Sequence, residues 1–295
     1  MALTGLDIYK LLPKTNCKKC GRPTCLAFAM QLAQKKANID ECPDVSEQAK
    51  QTLGAASAPP IKLVTIGTGD SALKIGEENV LFRHEEKFYH PVGVAVSVSD
   101  HLSETELDKK LKEITTLRFH RVGTEMGINL VAVQNDSGDK DTFARVVQKV
   151  ASNTNLLLIL VSQSPEAMAQ ALSTNGLAAK RPLLYGANSQ NFESMAKLAR
   201  EKNCSLGVYS TSLDELADLA EKVKALGVSE LVLNYQGKGV RDVLQGLTKI
   251  RRCALRKNFR PLGFPAITFL NDQDPYGGSP GLHLPGQVCR YTCPP

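Results

Sequence analysis

The chain has 295 residues, 42% of them hydrophobic and 22% charged, with a formal net charge of +6. This is ordinary globular usage and excludes a disordered chain, and the mild positive charge does not by itself call for nucleic acid. No stretch reaches the ~18–20 apolar residues of a membrane span, and the opening MALTGLDIYKLLPKTNC lacks the apolar run of a secretory signal, so the expected compartment is the cytoplasm.

The first feature in chain order is a cysteine head. Four of the eight cysteines, Cys17, Cys20, Cys25 and Cys42, are spaced C-x2-C-x4-C-x16-C. In a reducing compartment such clustering reads as metal or redox chemistry before disulfides. Gly21 permits the positive φ that a tight chelating turn often needs. Cys25 can open a helix, CLAFAMQLAQKKA, in which Leu26, Phe28, Ala29, Leu32 and Ala33 mark an apolar face. Pro43 follows Cys42, an ending familiar from ferredoxin-type ligand runs. Soft thiolates suit iron–sulfur clusters or zinc. Structural zinc usually takes two short cysteine pairs or cysteine with histidine, which the head lacks. Three close cysteines and one distant one suit a [4Fe–4S] cube better; zinc, or thiols without metal, are the alternatives. So small a head needs the metal as its structural centre. Lys10, Lys14, Lys18, Lys19, Arg22, Lys35 and Lys36 face only Asp7 before residue 37. They suit docking of an acidic electron carrier by steering, or equally a solvated face that offsets the cluster's negative charge.

The proline- and small-residue stretch GAASAPP, 54–60, reads as a linker. It separates a cluster domain, 1–57, from a second domain, 61–270. In the latter, eight apolar runs alternate with amphipathic helical runs: 61–67, 92–99, 128–134, 156–163, 181–187, 205–211, 230–236 and 264–270. They are rich in Val, Ile and Leu without alternation, as buried parallel strands are. Ser164 before Pro165, and Ser212 with Glu215, mark helix starts. The expected fold is α/β, a (β/α)8 TIM-type barrel behind a small [4Fe–4S] domain. A doubly wound sheet is the alternative, but no G-x-G-x-x-G follows the first strand. After the eighth run a closing helix is due; the chain instead continues as a Gly- and Pro-rich stretch, 271–295. This reads as an irregular, non-native tail with the last barrel helix missing, and Cys289 and Cys293 in it as loose thiols.

Barrel chemistry sits at the C-terminal ends of the strands. There stand Gly67-Thr68-Gly69-Asp70, Asp100, Asn135-Asp136, Gln163, Asn188, Asn234 and Asn271-Asp272, residue types that also serve as turn formers and caps. The segment NYQGKG, 234–239, with Gly237, Lys238 and Gly239, precedes a helix and is a weak phosphate-site candidate. His84, Glu85, Glu86 and His90 in FRHEEKFYHP read as a polar loop rather than a metal site. Cys204 and Cys253 read as packing residues. No catalytic nucleophile–base pair is visible.

Taken together, the cysteine head, VLFRHEEKFYHP, RPLLYGA and NFRPLGFP resemble the large (gamma) subunit of the corrinoid iron–sulfur proteins that work with carbon monoxide dehydrogenase/acetyl-CoA synthase. The resemblance runs over about residues 1–270. It implies that Cys17, Cys20, Cys25 and Cys42 hold a [4Fe–4S] cluster that restores Co(I) from Co(II). The cobalt belongs to a cobamide carrying methyl from methyltetrahydrofolate toward acetyl-CoA synthase. The implied partners are the small subunit, in a heterodimer, the methyltetrahydrofolate methyltransferase, acetyl-CoA synthase and an acidic donor such as ferredoxin; neither nucleic acid nor membrane is implied. The family's C-terminal cobamide domain has no counterpart in the last 25 or so residues, so the corrinoid site is expected to lie outside this sequence.

Overall fold

Two helices, α1 (Gly5–Leu11) and α2 (Cys25–Ala33), begin the structure, a computed structural model that describes residues 5–33, 37, 39–46, 49, 59–82, 84–85, 90–174, 176–269 and 288–291. The chain divides into two compact units, Met1–Pro59 and Pro60–Pro295. Residues 54–58 of the expected linker lie outside the described residues.

In the first unit, Ile8 and Leu12 pack on Phe28, Ala29 and Leu32 of α2, with Ile39, Val45 and Ala49 completing a small core. Helix α2 starts where Thr24 Oγ1 accepts the Ala27 N–H at 3.1 Å and Asn16 Oδ1 accepts the Cys25 N–H at 2.8 Å. The helices cross closely at Gly5, where a Cβ would come within 2.3 Å of the Met30 sulfur.

The second unit opens with an antiparallel pair, β1 (Val64–Ile66) and β2 (Leu73–Ile75). The run at 61–67 is therefore not the first barrel strand. Its Gly67 and Gly69 have φ of +90° and +68°, which turn the chain back before it can run parallel to a neighbour. Gly67 donates its N–H to Arg181 O at 2.9 Å. Val64, Ile66 and Ile75 share a cluster with Ala95, Leu130 and Ile159. Contacts of Leu73 at Gly93 and of Leu157 at Gly67 place this hairpin against the N-terminal ends of the barrel strands.

Six strands, β3 (Gly93–Ser99), β6 (Leu130–Gln134), β7 (Leu157–Val161), β8 (Leu183–Ala187), β9 (Leu206–Ser210) and β10 (Leu231–Tyr235), pair in parallel in that order as a curled half-barrel. Between β3 and β6 lies an antiparallel pair, β4 (Arg118–Arg121) and β5 (Thr124–Gly127). Beyond β3 the sheet continues through β12 (Val288–Tyr291) to β11 (Ile267–Phe269), both parallel. A parallel bridge between Leu233 and Ala266 joins β10 to the segment leading into β11, bringing the ends of the sheet together. The stretch read as an irregular tail thus supplies a strand, one too short to rise above its Gly- and Pro-rich surroundings.

Helices α3 (Glu104–Thr116), α4 (Lys140–Asn153), α5 (Pro165–Ser173), α6 (Phe192–Glu201), α7 (Leu213–Ala225) and α8 (Val240–Lys257) follow strands of the sheet. The six half-barrel strands are buried on both faces. Leu130 and Ala132 point into the inner cluster, and Val131 and Val133 pack outward with Phe143 and Val147 of α4, which is why the strands read as continuous apolar runs. Ser164 caps α5 through the Ala167 N–H at 3.3 Å. The capping box expected at Ser212 is absent: Glu215 takes the Ser210 hydroxyl at 2.5 Å instead. A complete box stands at Ser103 and Glu106 of α3.

Candidate functional site

The head thiols are brought together by two devices. Cys25 is the first residue of α2, and Cys42 follows a short turn in which its N–H bonds Ile39 O at 3.2 Å. Both are buried in the core, while Cys17 is exposed and Cys20 half-exposed on the preceding loop. That loop has left-handed backbone at Lys14, Asn16, Lys18 and Gly21. Left-handed residues recur in the backbone concavities found at anion and iron–sulfur sites. Asp44 ties the loop to the second thiol pair: it takes hydrogen bonds from Lys19, at 3.0 Å, and from the Cys17 thiol. Those two bonds, Lys19 first, hold the Asp44 carboxyl below its ordinary value, and Asp44 raises Lys19.

Cys42 feels the other three thiols. Burial, chiefly, raises the Cys42 thiol above its ordinary value; a hydrogen bond with the Asp44 backbone opposes this, and Cys20, Cys17 and Cys25 each push it higher. None of the four is in a disulfide. Among the described residues, no group of three or more His, Cys, Asp or Glu side chains is arranged to hold a single metal ion. The donor set is nonetheless wholly thiol and lies beside a loop with recurrent left-handed backbone, and in these respects suits an iron–sulfur group.

The head's basic excess is partly neutralised within the head. Lys10 pairs with Asp7 at 3.2 Å, Lys19 with Asp44 at 3.0 Å and Arg22 with Glu41 at 3.6 Å, and Lys14 lies over the Tyr9 ring. Lys35 and Lys36 lie outside the described residues.

In the second unit, the C-terminal strand ends form a cavity of about 410 Å³, lined in part by Asn135, Ser162, Gln163, Tyr185, Tyr209 and Gln236. Asp136 also lines it. The buried Asp100 accepts the N–H groups of Asp136 and Ser137 at 3.0 and 2.9 Å and the Ser137 hydroxyl at 2.5 Å, fixing one wall. Asn188 donates to the Tyr209 hydroxyl at 3.0 Å, and Asn234 is buried in the sheet. Gly67 to Asp70 belong to the β1–β2 turn rather than this mouth, and Asn271 and Asp272 lie outside the described residues. Ser162, Tyr185 and Tyr209 escape a sequence reading because they sit in or beside apolar strand runs.

The phosphate reading of NYQGKG is opposed by Asp242, whose carboxylate takes the Lys238 N–H at 3.0 Å and the Tyr235 hydroxyl at 3.3 Å, filling the place an anion would need. In FRHEEKFYHP, Glu85 accepts the Leu81 and Phe82 N–H groups, His84 stacks on Phe82, and His90 meets Glu77 at 2.9 Å. Glu86 lies outside the described residues. Arg251 of α8 bonds Glu78 and the Leu81 and Val80 carbonyls, so the described part of this loop is a structural strap. Cys204 is buried, and burial pushes its thiol up to about 11.

Residues 63–271 match the family described as CO dehydrogenase/acetyl-CoA synthase delta subunit, and residues 12–43 match a family described as a putative Fe-S cluster. The chain is 46% identical over 275 residues to the corrinoid/iron-sulfur protein large subunit of Moorella thermoacetica, and 34% identical over 283 residues to the acetyl-CoA decarbonylase/synthase complex subunit gamma of Methanothermobacter thermautotrophicus. Each match covers 93% of this chain and 61% of the relative; the chain thus spans about six-tenths of the length of these relatives. Among the described residues, no helix is long and apolar enough to cross a membrane.

Proposed function

The chain belongs to the CO dehydrogenase/acetyl-CoA synthase delta subunit family, and from that premise we propose that it is the iron–sulfur electron-transfer and scaffold subunit of a corrinoid methyl carrier. The methyl would move from methyltetrahydrofolate toward acetyl-CoA synthase, in the cytoplasm, with the cobamide in a part of the assembly outside this sequence. The observation that carries the reading is the joining of a head whose small core holds Cys25 and Cys42, with Cys17 and Cys20 on the preceding loop, to a barrel with these relatives.

Within this reading, the four thiolates hold a [4Fe–4S] cluster, which supplies one-electron reduction of cobalt from Co(II) to Co(I) when bound. The chain's own part follows from local structure. Burial of Cys25 and Cys42 anchors two ligands in the head core, and the exposed Cys17 and half-exposed Cys20 leave the other side open to electron exchange. Head lysines such as Lys14 and Lys18 offer charge to an acidic donor such as ferredoxin. The barrel is the scaffold that docks the small subunit, and the methyltetrahydrofolate methyltransferase and acetyl-CoA synthase meet the assembled carrier.

The test mixes the anaerobically purified, dithionite-reduced chain, freed of excess reductant, with the small subunit and a separately prepared Co(II) cobamide protein. The Co(I) absorption should grow in with the wild-type chain and fail with a Cys17→Ser, Cys20→Ser double variant. Equal growth with both, or no growth with either, contradicts the proposed role.

A further inference from the structure

Two cation–carboxylate pairs stand beside the head thiols. Lys19, just before Cys20, meets Asp44, two residues after Cys42, at 3.0 Å. Arg22, two residues after Cys20, meets Glu41, just before Cys42, with Nη2 and Oε2 3.6 Å apart. Each pair therefore ties the loop that carries Cys17, Cys20 and Cys25 to the turn that carries Cys42. The two pairs use their donors differently. Lys19 donates a hydrogen bond to Asp44. At 3.6 Å the Arg22–Glu41 contact is too long for one and is an attraction of charge.

The Arg22 side chain is 32% exposed, yet its Nε is buried and has no hydrogen-bond partner among the described residues. A buried donor left unmet is costly and uncommon in native proteins. Among the described residues of the head, one other buried side-chain nitrogen or oxygen, Gln31 Oε1 of α2, lacks a partner. It is an acceptor, and the two do not bond each other. The unmet N–H thus belongs to a side chain rooted between Cys20 and Cys25 and held toward the residue before Cys42. A guanidinium stays charged and presents its Nε–H in a rigid plane. The acceptors that this place gains when the four thiols are ligated are anionic sulfurs, sulfide and thiolate. Hydrogen bonds to those sulfurs are among the factors that set a cluster's potential.

We infer that Arg22 tunes the head's redox centre: its Nε–H donates to a cluster sulfur and raises the reduction potential. The inference rests on the iron–sulfur reading proposed above. Its sign follows from charge. Reduction adds one electron, and a fixed cation with a donor favours the more negative form. Arg22 is not a ligand; it sets how readily the ligated centre accepts the electron.

The test uses the full chain, purified anaerobically. Arg22→Lys keeps the positive charge and its reach toward Glu41 but puts a methylene where Nε stands. Iron and acid-labile sulfide are counted first, and the midpoint potential is then read from the electron paramagnetic resonance of the reduced form. The variant should keep the wild-type iron and sulfide, and its reduction equilibrium constant should be at least threefold smaller. That is a downward shift of at least about 28 mV, at about 59 mV per tenfold. A second measurement needs no variant. Wild-type chain grown on arginine with heavy nitrogen at Nε should show a weak coupling to that nitrogen in pulsed resonance of the reduced form; Arg22 is the only arginine before Arg83. If the variant loses its iron, the labelled wild-type chain decides. Full iron and sulfide in the variant with a smaller or an upward shift overturns the inference, and so does a labelled wild-type chain without the coupling; both leave the cluster reading standing. A wild-type chain without iron and sulfide overturns the cluster reading itself, and this inference with it.

Discussion

In the head, two of the buried residues beside Phe28 and Leu32 are cysteines, Cys25 and Cys42, and the loop facing them is left-handed at four positions. In the barrel, the strands are sealed on both faces by two apolar clusters, and the buried thiol, Cys204, donates a hydrogen bond to the Lys202 carbonyl at 3.4 Å. The same side chain thus serves opposite ends. The barrel holds its thiol as one more packing group in a core that stands without it. On the proposed reading, the head has little apolar surface of its own and draws its stability from what its thiols bind.

The largest expected effect separates the two units. Cys25→Ser with Cys42→Ser should abolish the head's cooperative unfolding and its amide-exchange protection, yet leave barrel protection intact. Persistent head protection in iron-free protein would break the comparison. Next comes the barrel core: Phe143→Ala, at a fully buried site, should cost about 3–5 kcal/mol by denaturant unfolding, with the iron content of the head unchanged. Arg251→Ala leaves the buried Glu78 without its cation and should cost roughly 3 kcal/mol, loosening the 78–82 strap in exchange experiments. Ser103→Ala removes the α3 cap and should cost about 1 kcal/mol, read as a small fall in barrel melting temperature.

The smallest effect is a rate. With its thiol pushed from 9.0 to about 11 by burial, Cys204 should alkylate at pH 8 roughly a hundredfold more slowly than an ordinary thiol. The raised value means that the fold favours the neutral thiol. Its contribution to stability is whole below pH 9 and is lost as pH rises through about 11. Fast labelling of Cys204 at pH 8 in folded protein would show that the barrel thiol is not sealed.

Legibility followed the range of the interactions. The cysteine head stood out because its spacing is a local feature, and the seven barrel strands from 93–99 to 267–269 were readable because burial on both faces leaves an unbroken apolar signature. The run at 61–67 carries the same signature for a different reason: it plugs one end of the barrel beside Leu130 and Ile159, and hydrophobicity does not distinguish a plug from a stave. Only the left-handed Gly67 and Gly69 betray the reversal. Strand β12 was hidden because pairing with β3 and β11 is a long-range property, not a local one. At the mouth, Asn135 and Gln163 stood out at strand ends, but the Tyr185–Tyr209 wall depends on two strands lying side by side.

The central claim is that the head is organised by an iron–sulfur cube on Cys17, Cys20, Cys25 and Cys42. Iron and acid-labile sulfide should be counted in the anaerobically purified chain, together with the electron paramagnetic resonance of its reduced form. About four irons and four sulfides per chain, with a reduced-cluster signal lost in the cysteine variants, is the predicted result; a colourless protein carrying one zinc would contradict it.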